Sequence, residues 1–229
     1  DGAKYDAKDT FYKTILGDTG TKEQLAQLFV DEYKEMIESV SKYGGFYIGR
    51  YELSEAGVQK NQPTLTNTNW YNLYKKCKSL NASEKVEARM IWGCQWDVTM
   101  NWLISSGAKT SDEVNKDSST WGNYSNYNTA NNYTEGTAGY EKNAGSLQNT
   151  GSSENWKANN IYDLAGNVWE WTQEANFTNY RASRGGDFNY PGSVGLASDR
   201  YGYTPDSSGN DNLRFSSHFN NKVILDTRA

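Results

Sequence analysis

Apolar residues recur at helical spacing from Leu25 through Leu28, Phe29, Tyr33, Met36, Ile37 and Val40, and the pattern stops at Gly44-Gly45. Thr21 stands three residues before Gln24, a capping-box arrangement in which each side chain accepts the other's backbone N–H, so a helix of about five turns is predicted to start there. Residues 1–20 are polar and weakly patterned and predict an extended lead-in. Phe46-Tyr47-Ile48-Gly49-Arg50-Tyr51-Glu52 is aromatic and β-branched and predicts a strand. A second helical pattern starts at Asn69, with Trp70, Leu73, Tyr74 and Cys77 on one face. A third follows Arg89-Met90-Ile91-Trp92, and its Trp96, Thr99, Met100 and Leu103 keep the period until Gly107. From about Val114 to Lys157 the chain is rich in Asn, Ser, Thr, Gly and Tyr with no sustained period. That predicts a loop longer than compact domains usually carry, hence a functional or partly mobile one. No repeat or linker divides the remainder, so residues 21–229 are expected to form one domain.

Composition changes the picture in three ways. In 229 residues the hydrophobic fraction is 36% but aromatics reach 14%, so the core is expected to rest on few, large side chains within polar loops. The net charge is -5 and the basic residues are dispersed, which excludes the electrostatic footprint of a nucleic-acid binder. No apolar run approaches the roughly 18 residues of a membrane span, so no membrane insertion is expected. There is no charged-then-apolar leader, which leaves a cytoplasmic protein, a mature secreted form or an excised domain, and Asp1 in place of a starting Met favours the last two. Cys77 and Cys94 are expected to be free, largely buried thiols, with a single disulfide as the alternative. The Asn-X-Ser/Thr sequons at Asn81, Asn123, Asn132 and Asn176 are expected by chance in so Asn-rich a chain.

The most specific motif is Asn160-Ile161-Tyr162-Asp163-Leu164-Ala165-Gly166-Asn167-Val168-Trp169-Glu170-Trp171, followed by Arg184-Gly185-Gly186. Trp169 and Trp171 fall on one side of an extended backbone and are both expected to enter the core. The motif resembles the signature of the formylglycine-generating-enzyme (sulfatase-modifying factor) family, and the resemblance runs from about Gly45 to Phe215. It implies an α+β domain of the C-type lectin fold, formylglycine-generating-enzyme subtype, with the strand ending in Tyr51-Glu52 opening the core sheet. In the copper enzymes of that family, cysteines stand at the positions held here by Tyr190 and Gly195. Copper-thiolate chemistry needs paired soft sulfur ligands. The iron-dependent branch needs several histidines, and His218 is the only one. No catalytic residue is therefore expected.

Asn167, the Val168 carbonyl and Glu170 are hard oxygen donors at which the resemblance implies a possible structural calcium; no other cofactor is required. The alternative has Asn167 hydrogen-bonding its own turn and Glu170 paired with a cation such as Arg184. The segment from Asp187 to Asn212 is dominated by Asn, Asp, Tyr, Gly, Ser and Val, residues reachable from an asparagine codon by changing its adenines. It resembles the variable region, here about 182–215, of diversity-generating-retroelement target proteins, which are ligand-binding C-type lectin domains. Tyr with small polar neighbours also suits an adaptable binding surface. Candidate contact residues are Asp187, Phe188, Asn189, Tyr190, Val194, Asp199, Tyr201, Tyr203, Asp206, Asp211 and Asn212.

Two departures stand out: Leu213-Arg214-Phe215-Ser216 replaces the Gly-Phe-Arg that usually closes this region, and the tail Asn220 to Ala229 is unlike the short apolar ending the resemblance implies. The expected function is binding of a protein or cell-surface ligand, outside the cell or on a phage particle. The alternatives are an oxidase with a rearranged metal site, or a structural phage or cell-surface appendage.

Overall fold

A computed structural model of the chain describes residues 12–80, 86–177, 180–205, 219–220 and 222–227. Within the expected lead-in, Tyr12–Leu16 forms a short helix, α1, instead of an extended segment. The reason is local: Ile15 and Leu16 are the apolar pair of that stretch, and both pack against the core beside the next two helices. Helix α2, Lys22–Tyr43, is 22 residues long. Its capping box is the one the sequence predicts, with the Gln24 N–H donating to Thr21 Oγ1 at 3.2 Å and the Thr21 N–H donating to Gln24 Oε1 at 2.9 Å. Gly44 ends it in the left-handed region at φ 79°, its N–H donating to the Val40 carbonyl. Leu25, Phe29 and Met36 are buried, whereas Tyr33 and Ile37 of the same apolar pattern are 42% and 48% exposed.

Strand β1 is only Tyr47–Ile48. The predicted strand continues for one more bond, Gly49 N–H to the Val223 carbonyl at 2.7 Å, and then turns Glu52 fully inward. Helix α3, Trp70–Ser79, starts at Asn69, whose side chain accepts from the Asn72 N–H, and buries Trp70, Leu73, Tyr74 and Cys77. Strand β2, Val86–Met90, leads into α4, Gly93–Ser105, which buries Trp96, Thr99, Met100 and Leu103. Two short helices follow, α5 at Ser111–Asn115 and α6 at Tyr127–Ala130, and then a two-stranded unit of β3, Lys157–Ala158, and β4, Ile161–Tyr162. The remaining strands are β5, Trp169–Phe177; β6, Tyr180–Arg184; β7, Tyr201–Tyr203; β8, Phe219–Asn220; and β9, Val223–Thr227.

The architecture is α+β. Among the described residues one sheet has the order β1-β9-β2, and another β7-β6-β5-β8. The tail that departs from the expected ending still supplies the middle strand of the first sheet, with Ile224 opposite both Ile48 and Arg89. The two sheets are joined through Ile91, whose N–H donates to the Lys222 carbonyl at 3.2 Å and whose carbonyl accepts from the Gln173 N–H at 3.0 Å. Side chains alternate along β9, so Val223 enters one core cluster with Trp70, Tyr74, Trp169 and Trp171, and Ile224 the other, with Trp96, Trp121 and Tyr124.

The long segment after Val114 packs as part of the body. Trp121, Tyr124, Tyr127 and Trp156 are all at most 2% exposed. Its lack of period reflects irregular backbone whose polar groups bond across turns, with aromatic side chains filling the interior. Asn123 of the expected chance sequons is 0% exposed and unavailable to any modifying enzyme in the folded chain. Neither cysteine is in a disulfide; Cys77 is buried as expected, but Cys94, near the start of α4, is exposed.

Trp171 is 0% exposed and Trp169 4%. Replacing either by Ala is expected to cost about 3–5 kcal/mol, the usual loss for a large buried aromatic. Equilibrium urea unfolding checks this, and variants that unfold at the parent's midpoint would remove the motif from the core.

Candidate functional site

The Gly166-Asn167 turn brings the site together. Both residues have positive φ, 70° and 62°, a region that Gly and Asn tolerate best. The Gly166 N–H donates to the Gly185 carbonyl at 2.9 Å, and the Asn167 carbonyl accepts from the Phe188 N–H at 3.1 Å, so the tryptophan motif grips both sides of the glycine pair. A side chain at Gly186 would collide with the Gly195 carbonyl at 2.2 Å, which is why the chain needs glycine there to fold back on itself.

From Tyr190 to Ser198 the backbone is held by the segment between α5 and α6. Ser118 and Ser125 donate N–H groups to the carbonyls of Gly192 and Tyr190 at 2.9 and 3.1 Å. The Ala197 N–H donates to Ser118 Oγ at 3.0 Å, its carbonyl accepts the Trp96 indole N–H at 2.9 Å, and Ser198 Oγ donates to the Val114 carbonyl at 3.0 Å. The long unpatterned loop is thus a cradle for the second one.

The candidate contact residues divide by exposure. Asn189, Tyr190, Val194 and Tyr201 are exposed, with Val194 at 61% and Tyr201 at 55%. Phe188, Asp199 and Tyr203 are half-buried. Tyr201 and Tyr203 stack on each other at 5.6 Å and lie against Trp169 and Trp171 respectively, so the two tyrosines join face to core. Burial holds the Tyr203 hydroxyl up at about 12, so it stays a protonated donor. Asp187 is a correction: it is 0% exposed, and its Oδ1 accepts from the Asn189 N–H at 3.0 Å, an Asx turn that shapes the loop. Asp206, Asp211, Asn212 and His218 lie outside the described residues. Sequence reading missed Arg200, which is exposed and donates to Glu174 Oε1 at 2.6 Å and to Asp97 Oδ2 at 2.7 Å. Its position within the Asp187–Asn212 stretch was the available signal.

The expected calcium donors do other work. Asn167 Oδ1 accepts from Asn123 Nδ2 at 3.0 Å and from the Gln148 N–H at 3.1 Å, while its Nδ2 donates to Glu52 Oε2 at 2.7 Å. Val168 is buried. Glu170 is buried with neither carboxyl oxygen hydrogen-bonded among the described residues. Arg184, the cation suggested for it, pairs with Asp97 instead. The charge acting on Glu170 comes from the chain itself, in the Lys222 ammonium, which is fully buried and donates to the Tyr162 carbonyl at 2.5 Å. The Asn167 oxygen is thus spent on two protein donors, and a cation of the chain itself acts on the acids. Among the described residues no group of three or more His, Cys, Asp and Glu is placed to hold a metal.

No family model and no curated protein matches this chain. Among solved structures it is similar to Treponema denticola variable protein 1, at 15% identity over 70% of each chain with a TM-score of 0.43. It is also similar to PvdO from Pseudomonas aeruginosa, at 13% identity over 79% of this chain and 80% of that one, with a TM-score of 0.48. At such identity and overlap, the reading of function rests on the site itself.

The buried acids generate a pH dependence. Burial raises Glu52 well above its ordinary range, and repulsion from Asp163 adds to it. Burial likewise raises Asp163 to about 6, and raises Glu170, where Glu52 adds repulsion. Carboxyls raised in the folded state bind protons there more tightly than in the unfolded chain. Their contribution is therefore fully present below the unfolded values and is lost as pH rises through the folded ones. Melting temperature is expected to fall as pH rises from the unfolded carboxyl values of about 4 through the Asp163 value of about 6, and Glu170→Gln should flatten that slope by removing one of the titrating groups. A parent slope of the opposite sign, or a slope that Glu170→Gln leaves intact, would contradict this account.

Proposed function

We propose that this chain is a ligand-binding domain of the C-type lectin fold, formylglycine-generating-enzyme subtype, and that residues of about 182–215 are the diversified face of a retroelement target protein. The ligand is a protein or cell-surface component met outside the cell or on a phage particle. One observation carries the reading: the backbone from Gly185 to Ser198 is tied down by residues outside the face, while Asn189, Tyr190, Ser193 and Val194 point to solvent. Side chains there can change without unfolding what holds them. Tyrosine supplies wide, rigid contact area at low entropic cost, and the small polar residues supply adaptable hydrogen bonds.

A library randomised at Asn189, Tyr190, Ser193 and Val194 should keep most members folded, because exposed positions usually shift stability by within about 0.5 kcal/mol. Asp187→Ala should instead cost about 1–3 kcal/mol, since it removes a buried hydrogen-bonding group. Thermal melts read both, and selection of the library on bacterial surface proteins reads binding. Widespread unfolding of the library would reassign the segment to an ordinary packed loop. The gene offers an independent check: a near-identical repeat with extra adenines beside a reverse-transcriptase gene is expected.

The same reading makes the domain a binder without oxidase chemistry. Tyr190 and Gly195 carry no sulfur, Cys77 is buried on α3, and Cys94 is exposed on α4. Purified protein supplied with copper, oxygen and a thiol peptide is expected to form no metal-dependent product. Turnover that disappears in Cys94→Ser would establish the rearranged-site alternative in its place.

A further inference from the structure

We propose that the ligand face extends beyond the variable segment into a fixed aromatic cleft that takes an aromatic residue bearing a free carboxylate, as at the C-terminus of a peptide. This rests on the binding reading above and names the chemistry of its anchor. The cleft is a cavity of about 540 Å³ between α2, the start of α4 and β5, within the size range of small-ligand sites. Neither Tyr190 nor Gly195 lines it, so it is separate from the place where the related oxidases carry their thiols.

Three observations define the occupant. First, Phe29, Tyr33 and Trp92 form the walls, with Tyr33 and Trp92 edge to face at 5.0 Å, a setting for a flat ring. Second, the lining cations Lys34, Arg181 and Arg200 outnumber the carboxylates Asp97 and Glu174, so the cleft favours a negative group. Arg200 has five N–H donors, and its bonds to Glu174 and Asp97 leave capacity for a further carboxylate. Third, three wall residues keep buried polar atoms with no hydrogen-bond partner among the described residues, the Trp92 indole N–H, the Gln173 amide oxygen and one Glu174 carboxylate oxygen. The first needs an acceptor and the other two a donor. A peptide's terminal residue supplies both, through its carboxylate and its amide N–H.

The cleft is continuous with the variable face. A second hollow of about 410 Å³, lined by Tyr180, Arg200, Tyr201 and Gly202, shares Arg200 with it. A peptide therefore places its terminal ring among the fixed aromatic walls and its carboxylate on Arg200, which belongs to the segment of about 182–215, while preceding residues cross Tyr201 and Tyr180. The ring pocket is then common to all variants, and Arg200 sets which of them take a carboxylate.

Cys94 lines the cleft and is exposed, while Cys77 is buried, so alkylation of Cys94 by iodoacetamide reports occupancy. N-acetyl-L-tyrosine should slow that alkylation saturably. N-acetyl-L-tyrosinamide, which lacks the carboxylate, and N-acetylglycine, which lacks the ring, should not. Arg200→Ala should raise the half-protecting concentration about tenfold, the loss of one charge-assisted hydrogen bond. The Trp92 indole N–H resonance gives a second readout and should shift with N-acetyl-L-tyrosine alone. No shift and no protection, equal protection by all three compounds, or an unchanged Arg200→Ala would overturn the proposal. If the randomised library yields binders while N-acetyl-L-tyrosine leaves Cys94 and Trp92 unaffected, only the cleft assignment fails. If N-acetyl-L-tyrosine protects but the library does not fold, the diversified face fails instead.

Discussion

The Asn167 carboxamide is the contact on which the rest of the structure depends. It meets Glu52 after β1 and Asn123 and Gln148 in the long loop, while the main-chain carbonyl of the same residue accepts the Phe188 N–H. Three partners distant in sequence thus converge on one fully buried side chain, and its backbone holds a fourth. A buried amide with donors and acceptors all engaged is strongly directional, because any shift leaves a polar group unsatisfied in a low dielectric. Isosteric aspartate would lose the donor to Glu52 and add a charge. Leucine would leave Glu52, Asn123 and Gln148 to find new partners. Positive φ at Asn167 and Gly166 gives the turn the shape that makes this convergence possible.

The same node carries an electrostatic cost. Glu52, Asp163 and Glu170 are buried in mutual repulsion, and the Lys222 ammonium is the cation that acts on all three. Burying several ionisable groups is unfavourable unless they pair or stay neutral; burial raises all three carboxyls, which favours the neutral form, while Lys222 acts in the opposite direction on each. Lys222 stands immediately before β9, the middle strand of the first sheet. The residue that leads into the middle strand of the first sheet thus also acts on the acid cluster beside Asn167.

Much of this was legible in the sequence where the signal is local. Thr21 with Gln24, the Trp70 face of α3 and the Trp96 face of α4 are set by spacing alone, and the structure keeps them. The Trp169 and Trp171 pair was legible because alternation on a strand is unambiguous. What escaped was non-local. Nothing near Trp121, Tyr124 or Trp156 in sequence indicates that their loop is interior, because their partners are Ile161, Leu164 and Ala197 or, for Trp156, the Tyr127 ring at the far end of the same segment. Asp187 had the composition of a contact residue, yet its short side chain closes a turn on Asn189. Glu170 and Asn167 read as ion ligands because their oxygens are the right chemistry; only Lys222, more than fifty residues away from Asn167 and Glu170, reveals that a cation is already supplied.

The division of labour between scaffold and face follows from where the hydrogen bonds go. In the segment from Tyr190 to Ser198 the stabilising bonds to the cradle and to Trp96 come almost entirely from backbone atoms, which every substitution preserves. The exposed side chains carry little structural duty except where they touch the tryptophans, whereas Ser198 Oγ still donates to the Val114 carbonyl of the cradle. Tyr201 and Tyr203 mark that boundary: each has one face on Trp169 or Trp171, and Tyr201 is still more than half exposed. A ring in that position is stiffened by the core beneath it, so contact with a ligand costs little further ordering. Tolerance to change therefore grades along the face, from full at Val194, which only meets solvent, to limited at Tyr201, which serves core and surface at once.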